Sequence, residues 1–137
     1  MTQELVRFLN PATMPPPVGG YSQVAEVIRG KLILIAGQIA RDASGSDVAP
    51  GDLRGQLTKI FENIEHALAA AGASFQDVVK MNYFCVESVP ASEISVVREV
   101  RDRFINAQAP PVSTFVFVSR LVRPEWLIEV EAWAVIP

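Results

Sequence analysis

Two carboxylates raise the question of what this chain can do. In the run LIEVEAWAVI, residues 127–136, Glu129 and Glu131 stand two positions apart. An extended strand sends alternate side chains to opposite faces. Ile128, Val130, Ala132, Ala134 and Ile136 therefore form one apolar face. Leu127, Glu129, Glu131, Trp133 and Val135 form the other. Like charges at that spacing raise each other's pKa, and a carboxylate tuned in this way suits acid-base work in a cleft. The competing reading is a solvated strand face. The remaining reactive residues are sparse: Cys85 is the only cysteine and His66 the only histidine. One cysteine excludes an intrachain disulfide and a Cys-rich zinc site. One histidine leaves too few ligands for a His-based metal centre, and a Ser-His-Asp arrangement could use only His66. No metal and no cofactor is expected.

The background to these residues is ordinary. The chain has 137 residues, half of them apolar and one fifth charged, with a net charge of −3. That fits a single globular domain spanning residues 1–137 with a real core. No basic stripe or aromatic-basic interleaving is present, so no nucleic-acid partner is expected. No apolar run approaches the roughly 20 residues that span a bilayer. The start, MTQELVRFLNP, lacks the regions of a signal peptide. A cytoplasmic location and no membrane partner follow as expectations.

The elements that must position Glu129 can be read from periodicity. Leu5–Leu9 reads as an edge strand, and NPATMPPPVGGYS, residues 10–22, as an ordered loop dense in Pro and Gly. Gln23–Arg29 and Lys31–Ile39 read as strands with a turn at Gly30. Residues 41–51 form a polar loop. Leu53, Leu57, Ile60, Phe61, Ile64, Leu68 and Ala71 recur at spacings of three and four, which predicts a helix over 52–71 with Gly72 after its end. His66 falls off that stripe and is expected at the surface. Residues 78–87 predict a strand, with Cys85 in it as a small buried hydrophobe. A second helix is expected over 91–106, burying Ile94, Val97, Val100 and Phe104. Two β-branched runs, Val112–Val118 and Leu127–Ile136, flank a polar turn and predict a β-hairpin. The order is β, β, β, α, β, α, β, β, an α+β domain with a mixed sheet and two helices on one face. Both faces of the last strands carry large apolar side chains, so the second face needs a cover, and self-association is the simplest one.

The segments GGYSQ at 19–23, GKLILIAGQI at 30–39, QLTKIFENIEHALAAAGAS at 56–74, DVVKMNYFCVE at 77–87, PPVST at 110–114, SRL at 119–121 and LIEVEAWAV at 127–135 follow one another in a specific order and spacing. The chain resembles the Rid family, reactive intermediate deaminases of the YjgF type, also catalogued as endoribonuclease L-PSP. The resemblance implies a chorismate-mutase-like subunit with a mixed six-stranded sheet. It also implies a homotrimer whose sheets line a central barrel, with clefts between subunits that hold an enamine or imine of an amino acid. In the family a strand glutamate handles the attacking water, a loop tyrosine closes the site, and an arginine after the Pro-rich segment grips the substrate carboxylate. Glu129 matches the glutamate and Tyr21 the tyrosine. Gly37 and Gln38 either present backbone groups to the cleft or form a turn and an interface hydrogen bond. The arginine is missing. Its place falls on Ser113 if the double proline is aligned, and on Val112 if the Ser-Thr pair is. Neither can make the charged fork that binds a carboxylate. Arg120 matches a different family arginine, near the hairpin turn. The expected activity is hydrolytic deamination of a small reactive metabolite, with turnover of ordinary amino-acid imines weakened. The alternatives are a non-catalytic metabolite-binding regulatory trimer and, with least support from charge and residue types, an endoribonuclease.

Overall fold

The computed structural model describes residues 4–137. Six strands and two helices follow in the order β1 (Val6–Leu9), β2 (Val24–Val27), β3 (Lys31–Gln38), α1 (Leu53–Ala70), β4 (Val78–Val86), α2 (Ile94–Arg101), β5 (Val112–Val118) and β6 (Ile128–Ile136). The strands make two sheets rather than the single six-stranded sheet expected. β1 and β2 pair antiparallel with each other, and the other four are ordered β3-β6-β4-β5. β6 is antiparallel to both β3 and β4, and β5 runs parallel to β4.

The terminal hairpin does not form. β4 lies between β5 and β6, with Tyr83 opposite Phe115 on one side and Val130 on the other. The helical connection from β4 to β5 is long enough for a parallel crossover, and that pairing displaces the hairpin. Likewise β2 pairs back to β1 instead of forward to β3.

The core follows the predicted helix stripe. Leu57, Ile60, Phe61, Ile64 and Leu68 of α1 are completely buried, against Ile128, Val130, Ala132 and Ala134 of β6 and Met81 of β4. Burying those large α1 side chains contributes about 10–15 kcal/mol before chain entropy is subtracted. Phe61, Phe75 and Phe104 meet with ring centroids 5.2–5.7 Å apart and close one end of the core. α1 ends as expected, with Gly72 at φ +76°. α2 is shorter than expected. A 3-10 turn, Ala91–Glu93, leads into it, and only Val97, Val100 and Arg101 are buried within it. Arg54 of α1 and Glu99 of α2 tie the helices together at 2.5 Å.

Gln56 does work that its polar type conceals. It is 1% exposed, inside the apolar stripe of α1. Its Nε2 donates to the Glu125 carbonyl at 3.0 Å and more distantly to that of Ala49 at 3.3 Å, while its Oε1 accepts from the Leu127 amide at 2.9 Å. The β5–β6 connection is thereby clamped to the helix. Leu127, expected on the outer face, instead packs against the core.

The face of the sheet away from the helices carries Leu32 and Leu34 of β3, 57% and 65% exposed, Val116 of β5, and half-buried Trp133 of β6. Val135 lies on the same face but is already buried within the chain, beside Gly30. No helix among the described residues is long and apolar enough to cross a membrane.

Candidate active site

Glu129 is positioned by an irregularity in the neighbouring strand. Ile35 pairs with Ala132 and Gln38 with Val130, so β3 spends three steps where β6 spends two. The extra residue is a β-bulge at Ala36–Gly37, a device that re-aims neighbouring side chains. The glutamate's carboxylate lies over Gly37. A Cβ on that residue would run into Oε1 of Glu129 and stand only 3.0 Å from its Cδ. A side chain at residue 37 would push the carboxylate aside.

Glu129 is half-buried, and its pKa is raised by that burial first and by the neighbouring charge of Glu131 second. Glu131 takes a different part. Its Oε1 accepts a hydrogen bond from Asn82 Nδ2 of β4 at 3.1 Å, so the pair consists of one tethered and one untethered carboxylate. The Asn82 Oδ1 is buried without a partner among the described residues.

The register also separates the two candidate positions for the absent arginine. Val112 stands opposite Lys80 and Ser113 opposite Met81. Met81 is in the core, so Ser113 faces the helices. Val112 shares the face of Glu129, Glu131 and Trp133, and the cation beside it in register is Lys80.

The other predicted site residues fall into separate places. Tyr21 and Ser113 line a cleft of about 400 Å³ on the helix side of β5, together with Tyr83, Arg98, Arg101 and Phe117. The loop carrying Tyr21 is pinned at Ser22, which is buried. Its hydroxyl donates to the Pro110 carbonyl at 2.6 Å and its amide to that of Pro111 at 3.2 Å. Gly37 and Gln38 line a second cleft, about 490 Å³, with Arg41, Lys59, Asn63 and His66. The Gln38 Nε2 donates to the Ala36 carbonyl at 3.0 Å, bracing the bulge. Arg120 joins neither cleft. It is exposed and turns back on its own loop, donating to the Leu121 and Val122 carbonyls at 3.2 and 3.3 Å. His66 is exposed, and Cys85 is 1% exposed with its thiol pushed up by burial to about 11. Among the described residues no group of three or more His, Cys, Asp or Glu side chains comes together as a metal site.

One chain thus brings together Glu129 with Gly37, and Tyr21 with Ser113, but no contact joins the two groups. Sequence reasoning passed over Lys80, Asn82, Arg98 and Arg101. The arginines carried one usable signal, their i, i+3 spacing on the second helix, which sets both on one side of it.

The comparisons with known proteins agree on one family. The family model described as endoribonuclease L-PSP matches residues 12–136. A RutC family protein of Pyrococcus abyssi is 36% identical over 120 residues, covering 88% of this chain and 89% of the relative. A protein of Dermatophagoides farinae named 2-iminobutanoate/2-iminopropanoate deaminase is 28% identical over 79% of this chain and 80% of its own. Among solved structures, a protein of the conserved Rid family from Yersinia pestis, itself of unknown function, superimposes with a TM-score of 0.88 at 32% identity, covering 97% of this chain and all of that one. With the family model, the relatives and the superimposed fold in agreement, the chain belongs to the Rid family, the endoribonuclease L-PSP family of the matching model.

Proposed function

We propose that the protein is a Rid-type hydrolase that deaminates a small enamine or imine in clefts formed between copies of the chain. The observation that carries this reading is Glu129 itself. A glycine bulge reserves space for its carboxylate, and burial and Glu131 raise its affinity for a proton. Such a group can take a proton from an attacking water and return it to the departing amine. The overall step adds water to an iminium carbon, breaks the C–N bond, and releases ammonia and a carbonyl compound. Imines are intrinsically labile, so positioning and modest proton transfer supply much of what is needed.

A homotrimer fits the two-sided sheet. Leu32, Leu34, Val116 and Trp133 leave an apolar outer face that a second copy would bury. It would also let Tyr21 of one copy approach Glu129 of another. The relatives named 2-iminobutanoate/2-iminopropanoate deaminase support the reaction class. The lack of an arginine at both Val112 and Ser113 argues against efficient turnover of free amino-acid imines, and it favours the second reading, a trimer that binds a metabolite without turning it over. The two readings part in a coupled assay that generates 2-aminoacrylate or 2-iminobutanoate beside a panel of neutral enamines. On whichever substrate is turned over, Glu129→Gln should lower the rate about 100-fold or more. Undiminished turnover in Glu129→Gln would remove the glutamate from the mechanism, and no acceleration of any imine would favour the binding protein.

A further inference from the structure

The cleft between the end of β3 and α1 gathers basic side chains that the chemistry at Glu129 does not use. Arg41 comes from the loop after β3, and Lys59 and His66 come from α1. Lys59, Asn63 and His66 are spaced i, i+4 and i+7, which sets all three on one side of the helix. Asn63 fixes the geometry from the middle of that row. Its Nδ2 donates to the Arg41 carbonyl at 2.9 Å and more distantly to that of Ile39 at 3.4 Å. The loop is thereby held against the helix that carries the other two groups.

None of the three basic groups is closely paired. The Arg41 Nε is buried and makes no hydrogen bond among the described residues. Asp47 Oδ1 stands 3.4 Å from it, and that oxygen already accepts from the Trp126 indole at 3.0 Å. The indole ring also packs beside the guanidinium, with its centroid 5.7 Å from Cζ, and steadies the group. Lys59 Nζ stands 3.9 Å from Glu62, a solvated separation at which an ion pair contributes little. His66 has no hydrogen-bonded or ion-paired partner among the described residues. The one carboxylate that lines the cleft, Asp42, is occupied by its own loop. Its Oδ1 accepts from the Ser44 amide and hydroxyl at 2.9 and 2.6 Å and from the Ser46 amide at 3.0 Å. Three donors on two sides of a cleft suit a ligand group with more than two oxygens. A carboxylate offers two in one plane, whereas a phosphate monoester offers three acceptor oxygens and nearly two charges. It also matches an arginine fork beside the point charge of a lysine. The cleft, about 490 Å³, has room for that group and a few carbons.

We infer that this cleft binds the phosphate of a small phosphorylated metabolite through Arg41, Lys59 and His66. Gly37 lines the cleft and also lies under the Glu129 carboxylate, so the two places adjoin. The substrate class they would serve together is an imine with a phosphate at its far end, an extension that rests on the deaminase reading above; the phosphate binding itself does not. Such an anchor would supply the grip on an anion that Val112 and Ser113 lack.

Calorimetric titration of the full chain with glycerol 3-phosphate, beside glycerol and glycerate, tests the site. The phosphate should bind, glycerol should bind at least about 10-fold more weakly, and glycerate should fall between. Lys59→Gln should weaken glycerol 3-phosphate about 5-fold, the worth of a solvent-exposed ion pair, and Lys59→Arg should restore most of the affinity. Glu129→Gln should bind at least as tightly as the parent, because it removes a neighbouring negative charge. Backbone amide shifts on binding should centre on residues 41–43 and 59–66. Arg41→Gln also removes the contacts to Asp47 and Trp126 and can loosen the loop, so Lys59→Gln decides. Glycerol or glycerate binding as tightly as the phosphate, unchanged affinity in Lys59→Gln, lost binding in Glu129→Gln, or shifts centred elsewhere would each overturn the inference. So would no binding to folded protein at 10 mM, about tenfold above a weak, millimolar affinity. Phosphate binding by a protein that turns over no imine would support the site and count against the catalytic reading alone.

Discussion

Replacing Gln56 by alanine tests how much of this fold depends on one buried amide. The side chain makes two hydrogen bonds of good length, to the Glu125 carbonyl and from the Leu127 amide, and a third at 3.3 Å that counts for little. Each good bond is worth about 1 kcal/mol net, and the half-buried Leu127 amide, left unpaired, costs a further 1 kcal/mol or so, whereas water can reach the carbonyl of exposed Glu125. Truncation also leaves a small void, because Gln56 is 1% exposed. Alanine recovers a few tenths of a kcal/mol through its better helix propensity. The expected loss is about 3 kcal/mol, which for a chain of this size lowers Tm by about 6–12 °C. The assay is urea unfolding at fixed protein concentration, with the slope unchanged if only the native state is affected. Hydrogen exchange adds a local readout, since the Leu127 amide should lose protection relative to amides in β4. Gln56→Leu fills the void but restores no bond, so it should recover less than half of the loss. A destabilisation under about 1 kcal/mol in Gln56→Ala, or an unchanged Leu127 amide, would refute the clamp.

Three further outcomes are expected. Because burial and Glu131 raise the Glu129 pKa, the native state holds that proton to higher pH than the unfolded chain does, and stability falls as pH rises from the ordinary carboxylate range, about 4.3, through the raised native value. Glu129→Gln should therefore be more stable than the parent at pH 7–8, with the advantage vanishing near pH 4; thermal melts across that range check the sign. Gly37→Ala should displace the Glu129 carboxylate by about 1 Å and cost turnover about 100-fold on any imine substrate while leaving the fold intact, checked by the coupled assay beside circular dichroism. Light scattering should give a mass of three times the 15.0 kDa chain, and Leu34→Glu, which charges the outer face, should shift it to the single-chain value.

What the sequence disclosed, and what it did not, follows from the range of the interactions. The stripe from Leu53 to Leu68 and the alternation from Ile128 to Ile136 are local periodicities, and both elements appear where expected. Cys85 and His66 were legible for the same reason: each is decided by its place in one element. Pairing is not local. Val112–Val118 and Leu127–Ile136 have the composition of a hairpin, yet each finds β4 as a partner, and nothing in either run announces that. Gln56 and Leu127 were misjudged together, because each explains the burial of the other. The choice between Val112 and Ser113 is a one-residue question, and one residue in a strand is a change of face. The register with Lys80 and Met81 shows that the two positions lie on opposite faces of the sheet. The second cleft-lining cluster stayed hidden because its residues come from loop, helix and strand far apart in the chain.

The strand order has a consequence for how the chain reaches its native state. β6 follows the other five described strands in the chain, yet it occupies an interior place between β3 and β4. Until residues 128–136 have emerged, β3 has no partner in its sheet and β4 pairs only with β5. The nascent chain therefore holds two open edges and the apolar face of α1 without the strand that covers it. Pairings so distant in sequence are slow to close, and exposed edges invite pairing with another chain. Folding of the sheet should wait for residues 128–136, with a late, all-or-none insertion that completes the sheet and buries the helix in one event. A stall or a proteolytic cut before residue 128 would leave an aggregation-prone fragment rather than a smaller folded one.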